Sequence, residues 1–220
     1  MNDLRKLVRY YDLRYSAPPG AMRDYRLYLD MVSAEPGEHL LDVGCGEGFL
    51  LDAAEKAGMR ATGVEITERA LSLARRTASG AQLVCAAGEA LPFPARSFHI
   101  VSCIGTLEHF ADPSAGAAEV SRVLRPAGRA LIVVPNRRFM AWWLQRHRGT
   151  EQQEVSELLL GLGEWRDLLR AGGLEVLRVV KEPWHTKPSP SLLRRSAIRF
   201  AWRILPLRWT YQFACICRKA

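Results

Sequence analysis

His39-Leu40-Leu41-Asp42-Val43-Gly44-Cys45-Gly46-Glu47-Gly48 is the stretch that decides the fold. A short apolar run, which reads as a buried strand, leads directly into three alternating glycines. Small residues after a strand let the backbone turn sharply and come close to a ligand. In open α/β sheets that ligand lies beyond the carboxyl ends of the strands. The charges of the loop restrict its identity. Asp42 precedes the loop, Glu47 sits inside it, and no Lys or Arg falls within it, so a pyrophosphate would be repelled. A dinucleotide fingerprint needs glycine three positions after Gly46, where this chain has Phe49, and the P-loop spacing is absent.

Outward from the loop, strands alternate with helices. Expected strands are His39–Val43, Arg60–Glu65, Gln82–Ala86, Phe98–Ile104, Arg129–Val134, Leu174–Val180 and Thr210–Cys217. Expected helices cover 22–33, 48–57, 67–78, 114–124 and 154–171. The first five strands, joined by helices through short loops, imply parallel βαβ units. Their nearly continuous apolar runs suit a sheet covered on both faces. Glu65 ends the second strand, at the place where dinucleotide folds keep an acid for the ribose hydroxyls. An acidic loop suits a cation, and S-adenosylmethionine carries a sulfonium and an ammonium but no phosphate.

Several further strings follow in order: Ala90-Leu91-Pro92-Phe93-Pro94-Ala95-Arg96-Ser97-Phe98, Leu107-Glu108-His109, and Leu124-Arg125-Pro126-Ala127-Gly128-Arg129. With Asp42-x-Gly44-x-Gly46-x-Gly48 and Glu65, they make the chain resemble a class I S-adenosylmethionine-dependent methyltransferase. It is most similar to the branch holding the ubiquinone and menaquinone biosynthesis enzymes. The resemblance is close over 38–136 and looser to 220. It implies a Rossmann-like α/β three-layer sandwich, with a seven-stranded, mostly parallel sheet whose last strand is antiparallel.

The resemblance also implies site roles. Asp42, Gly44, Cys45, Gly46 and Gly48 would contact the methionine end of S-adenosyl-L-methionine, Glu65 the ribose, and Ala87, Gly88 and Glu89 the adenine, with Ile104 lining the site and Ile66 also among the cofactor-binding residues. Two positions depart from the family pattern. Ala87 stands where an Asp commonly meets the adenine amino group, which leaves a backbone bond near Gly88 or a substitute role for Glu89. His99 stands where an Asp usually follows Phe98, and a structural role is expected for it.

Methyl transfer from a sulfonium is an in-line displacement, so positioning supplies much of the rate and a base is needed only for early deprotonation. His109 is the base candidate at the ligand edge, although a structural role is favoured because the Leu-Glu-His triplet recurs whatever the substrate. His147 and His185 read as surface residues, and Tyr10, Tyr11 and Tyr15 resemble the aromatic N-terminal lid of related enzymes, the alternative being a helix that packs its aromatic face on the core.

The chain has 220 residues, enough for one domain with a sizeable core. A single domain is expected over 1–220, with a lid at 1–33, a cofactor-binding core at 38–136 and substrate-side helices at 137–170 and 188–206. The net charge is +8, yet only five of the 31 basic residues are Lys, so compositional bias explains it better than a binding role. Methyltransferases acting on exocyclic base amines carry an Asn/Asp-Pro-Pro-Tyr/Phe string after the fourth strand. Here that place reads Ile104-Gly105-Thr106-Leu107, which argues against nucleic acid as partner. The acceptor expected is a small molecule or a lipid-like compound.

Within 188–206, Leu193, Ala197, Ile198, Phe200, Ala201, Ile204 and Leu205 share one helical face and Arg195, Arg199 and Arg203 the other. This suits a helix capping the substrate pocket, or alternatively a peripheral membrane contact. No CxxC pair occurs among the five cysteines, so no metal site is expected. With neither a signal peptide nor an 18-residue apolar run, the expected location is cytoplasmic, with that peripheral contact as the variant. Two rival readings are a non-catalytic S-adenosylmethionine-binding or interaction protein of the same fold, which Ala87 favours, and a nicotinamide oxidoreductase, which Phe49 and the acidic loop oppose.

Overall fold

The computed structural model describes residues 24–139, 157–182 and 206–220. In chain order the described elements are helix α1 (Arg26–Met31), strand β1 (His39–Val43), α2 (Phe49–Lys56), β2 (Arg60–Glu65), α3 (Glu68–Thr77), β3 (Gln82–Cys85) and β4 (Phe98–Ile104). A 3-10 turn (Leu107–His109) follows, then α4 (Pro113–Val123), β5 (Leu124–Pro135), α5 (Leu162–Ala171), β6 (Leu174–Lys181), a second 3-10 turn (Leu207–Trp209) and β7 (Gln212–Lys219).

The strands form one sheet in the order β3-β2-β1-β4-β5-β7-β6. Strands β1 to β5 pair in parallel, while β7 runs antiparallel between β5 and β6. This is the expected Rossmann-like α/β sheet. The strand order reverses between β1 and β4, so the crevice at the carboxyl ends opens beside Val43, the residue that leads into the glycines.

Alternate side chains of each central strand enter opposite layers. Leu40, Ile100, Leu131 and Ala214 pack with Leu29, Leu50, Leu51 and Leu71 from α1, α2 and α3. Leu41, Val101, Ile132 and Cys215 pack with Ala117, Val120, Trp165 and Leu169 from α4 and α5. Local chemistry sets the helix starts. Thr67 caps α3 by accepting from the Ala70 N–H (3.4 Å). Asp112 caps α4 by accepting from Ser114 and Ala115, with Pro113 in the first turn.

The boundaries differ from expectation where tertiary contacts intervene. β5 begins at Leu124 rather than Arg129, because Leu124 pairs with Phe98 before the register shifts across Pro126-Ala127-Gly128. α5 begins at Leu162. Leu160 is taken up by a parallel bridge to Asn136, and the Gly161 N–H donates to the Glu164 side chain (2.7 Å), which closes the helix start. α1 covers only Arg26–Met31, since Ser33 turns left-handed (φ 50°). β7 starts at Gln212 because the Thr210 hydroxyl is held in a turn by the Leu207 carbonyl (2.9 Å).

Asn136, buried just past β5, ties the C-terminal segment to the sheet. Its Nδ2 donates to the Arg208 (2.9 Å) and Thr210 (2.7 Å) carbonyls, and its Oδ1 accepts from the Arg138 N–H (2.9 Å). Asn136→Ala removes all three bonds from a buried place. A loss of about 2 kcal/mol in urea unfolding is expected, with little change in ligand affinity.

Candidate functional site

The glycine loop turns out of β1 on three left-handed residues, Gly44 (φ 75°), Gly46 (φ 51°) and Gly48 (φ 81°). These are conformations that an L side chain strains. Gly44 has a second reason to lack a side chain: a Cβ there would lie 2.3 Å from the Thr106 methyl. The loop after β1 and the loop after β4 therefore touch across the crevice. Four of the loop's backbone donors are already engaged. The Gly44 and Cys45 N–H groups both donate to the Val64 carbonyl (2.8 and 3.0 Å), Gly48 donates to the Cys45 carbonyl (2.9 Å), and Gly46 donates to Glu65 (3.1 Å). An anion needs such donors free, so the structure strengthens the reading of a loop unsuited to phosphate.

Glu65 does more than end β2. Its Oε1 accepts from the Ile66 (2.8 Å) and Thr67 (3.2 Å) N–H groups, and its Oε2 accepts from Gly46. The carboxylate thus clamps the glycine loop to the start of α3. The Thr67 side chain adds a further hydrogen bond to the carboxylate, so its roughly four acceptor sites are held largely by the protein's own donors. Burial raises its pKa, and the backbone N–H groups partly offset that.

Asp42 is 5 % exposed, and its Oδ1 accepts from the Ser102 hydroxyl (2.7 Å). Burial raises its pKa to about 7, the Ser102 bond opposes this, and the charge of nearby Glu65 adds to it. Two buried carboxyls therefore sit together with no basic side chain among the charges that act on them. That donor set fits a cationic, hydroxyl-bearing ligand. The Cys45 thiol lies where a Gly63 Cβ would meet it (2.7 Å), and burial pushes its pKa up, so it packs as a small apolar group.

The loop after β3 has a different logic from the one its sequence suggests. A Cβ at Gly88 would sit 2.2 Å from the Phe110 ring, so this glycine makes room for an aromatic side chain. The Ala87 carbonyl accepts from the Ala90 N–H (3.2 Å). The Glu89 carboxylate accepts from the Ala111 N–H (2.9 Å), tying the loop after β3 to the one after β4. Ile104 and Ile66 lie at the carboxyl ends of β4 and β2, beside the loop. His99 is structural: its Nδ1 accepts from the His39 N–H (3.0 Å) at the opposite edge of the sheet. Thr106 and Phe110 carry no sequence signal, because only the fold brings them against Gly44 and Gly88.

His109 is buried in the 3-10 turn after β4, next to Glu108, and Glu157 joins them. One side-chain oxygen or nitrogen of each lies within 4.8 Å of the others. Glu108 is 2 % exposed, and burial, followed by the charge of Glu157, raises its pKa to about 8. Tyr10, Tyr11, Tyr15, His147 and His185 lie outside the described residues, as does 188–206 apart from Pro206. Among the described residues no helix is long and apolar enough to cross a membrane.

Residues 41–132 match a methyltransferase domain. Over 153 residues the chain is 31% identical to a ubiquinone biosynthesis O-methyltransferase of Coxiella burnetii, covering 64% of this chain and 65% of that protein. The chain thus spans just under two thirds of that relative's length. An S-adenosylmethionine-dependent methyltransferase from Mesorhizobium loti shares the fold, with a TM-score of 0.67 at 19% identity over 89% of this chain and 95% of that one. So does the [4+2]-cyclase SpnF, with a TM-score of 0.70 at 19% identity over 97% and 94%. The resemblance read from the sequence holds: this is the fold of the class I S-adenosylmethionine-dependent methyltransferases.

Proposed function

From the match of residues 41–132 to a methyltransferase domain, we propose that this chain transfers the methyl group of S-adenosylmethionine to a small-molecule or lipid-like acceptor. Fold alone does not choose the reaction, as the cyclase of the same fold illustrates. The observation that carries the reading is the pair of buried carboxyls, Asp42 and Glu65, beside a glycine loop with four backbone donors engaged. Asp42 with the Gly44–Gly48 loop and Cys45 would hold the methionine end. Glu65, beside Ile66, would hold the ribose. Ala87, Gly88 and Glu89, with Ile104, would border the adenine. When bound, S-adenosylmethionine supplies a methyl group on a positively charged sulfur, a carbon already activated for displacement.

The protein's part is to bind, orient and exclude water. We take the acceptor to carry a hydroxyl, by analogy with the O-methyltransferase relative. The proposal includes one domain over 1–220, with 1–33 as a lid and 137–170 and 188–206 walling the acceptor.

Calorimetry with S-adenosylmethionine tests the reading, and no binding overturns it. The pH dependence adds a second criterion. The Asp42 carboxyl has its pKa raised from 3.8 to about 7 in the folded chain. It holds its proton more tightly folded than unfolded, so its contribution to the stability of the free protein falls as pH rises through that interval. A cation favours the ionised form, so binding near pH 6 releases a proton. Affinity at pH 7.5 should exceed that at pH 6 by up to about tenfold, read from titrations in buffers of different ionisation enthalpy. Equal affinity and no proton release would exclude Asp42 as the cation's partner.

A further inference from the structure

We propose that His99, Arg60, Arg125 and Arg129 form an oxyanion site at the amino-terminal edge of the sheet, which takes a phosphate dianion, free or carried by a small soluble phosphomonoester; it does not depend on the methyltransferase reading above. The strand order gathers the four, since β2, β1, β4 and β5 are neighbours. Arg60 opens β2 beside His39, the first residue of β1. His99 is the second residue of β4, and Arg125 and Arg129 belong to the early part of β5. Opposite His99 the pairing breaks: Phe98 pairs with Leu124, but Ile100 pairs with Arg129. The residues between Leu124 and Arg129 therefore leave the register there, and Arg125 Nη1 meets His99 Nε2. Gly128 lets this excursion close on β4, because a Cβ there would lie 2.9 Å from the His99 carbonyl oxygen.

The hydrogen bonds at His99 ask for an acceptor. A neutral imidazole has one donor and one acceptor nitrogen, and a guanidinium has donors only. His99 Nδ1 accepts from the His39 N–H (3.0 Å), so the ring proton sits on Nε2. That N–H faces Arg125, a second donor. The other tautomer only moves the clash to Nδ1, where two N–H groups would then meet. Protonating the ring would put a clash at both nitrogens. Burial, followed by Arg125, lowers the His99 pKa, with Glu38 opposing and Arg60 and Arg129 adding to it. Two donors side by side are relieved by an acceptor that both can share.

Charge selects the kind of acceptor. Three guanidinium groups and one carboxylate, Glu38, act on His99. Glu38 is already taken, since its Oε2 accepts from Arg129 and from the Glu35 N–H. Among the described residues neither Arg60 nor Arg125 has an ion-pair partner, and Arg129 Nε is buried without a hydrogen-bond partner. Water accepts from two donors as well, but the surplus of positive charge favours an anion. A phosphate dianion has oxygens enough for the His99 N–H and the forked Arg125 together. The site is separate from the cofactor crevice. His39 and Val43 are the two ends of β1, about 13 Å apart along the strand.

The test is a phosphorus NMR titration of the full chain with inorganic phosphate at pH 7.5, at constant ionic strength maintained with chloride. Saturable binding is expected. Arg125→Gln should weaken it by about tenfold or more. Arg60→Gln, at an exposed position, should weaken it by about threefold and keeps the test valid if Arg125→Gln fails to fold. His99→Asn retains an oxygen that can accept from the His39 N–H but loses the Nε2 donor. It should weaken phosphate binding by about tenfold, with a urea midpoint in phosphate-free buffer close to that of the parent. The imidazole resonance lost in His99→Asn should move when phosphate is added to the parent. Saturating S-adenosylhomocysteine should leave the phosphate affinity within twofold, and glycerol 3-phosphate should bind as phosphate does.

Phosphate that does not saturate, or that binds equally to the parent and to the Arg125 and His99 variants, overturns the proposal. Competition with S-adenosylhomocysteine places the anion in the crevice and overturns it too. Binding to phosphatidic acid vesicles, without binding to either soluble phosphate, assigns the cluster to a membrane surface and overturns the soluble ligand. A chain that binds phosphate as expected but not S-adenosylhomocysteine supports this site while sinking the methyltransferase reading.

Discussion

Glu65→Ala should lower the affinity for S-adenosylmethionine by about 100-fold or more, measured by calorimetry at pH 7.5. Each charge-assisted hydrogen bond is worth roughly 1.5–3 kcal/mol, and a buried donor left unpaired costs about 1–3 kcal/mol. The substitution removes the acceptor proposed for the ribose and also strands the Gly46, Ile66 and Thr67 N–H groups that the carboxylate now receives. Glu65→Gln separates the two roles. Its amide oxygen can still accept from the backbone while the charge is gone, so it should fall between parent and alanine. If Glu65→Ala binds as the parent does, the carboxylate holds neither the loop nor the ligand, and the proposed site is wrong.

Gly44→Val should abolish measurable binding of S-adenosylmethionine and destabilise the fold by roughly 3 kcal/mol or more. Two causes add. The residue is left-handed (φ 75°), which a β-branched side chain rarely adopts. The new Cβ would lie 2.3 Å from the Thr106 methyl and 2.5 Å from its hydroxyl. The second cause can be relieved and the first cannot. Adding Thr106→Gly to Gly44→Ala should recover part of the stability lost by Gly44→Ala alone, read as a shift in the urea midpoint. No recovery would mean that the contact between the two loops does not limit position 44.

The inner strands were legible in the sequence because both faces of each are buried. His39–Val43, Arg60–Glu65 and Phe98–Ile104 form as expected, since continuous apolar runs bounded by turns have few other ways to be buried. Strand ends that depend on a neighbour were not legible. β5 starts at Leu124 because it meets Phe98, and α5 starts late because Leu160 bridges Asn136. Propensity carries no information about either partner.

The same division runs through the site. The sequence alone determined the doubly covered parallel sheet, the glycine loop at Asp42, the absence of bases within that loop, and an acid at the end of β2. These are local facts about residue type and spacing, and they suffice to disfavour phosphate. Only the tertiary structure decided how those residues are used. Glu65 clamps three backbone N–H groups, Gly44 is required by Thr106, Gly88 by Phe110, and Glu157 reaches Glu108 and His109 from 48 residues away. Each is a contact between segments distant in sequence. It is set by strand order and by the packing of loops at one edge of the sheet, neither of which leaves a periodic mark on the chain.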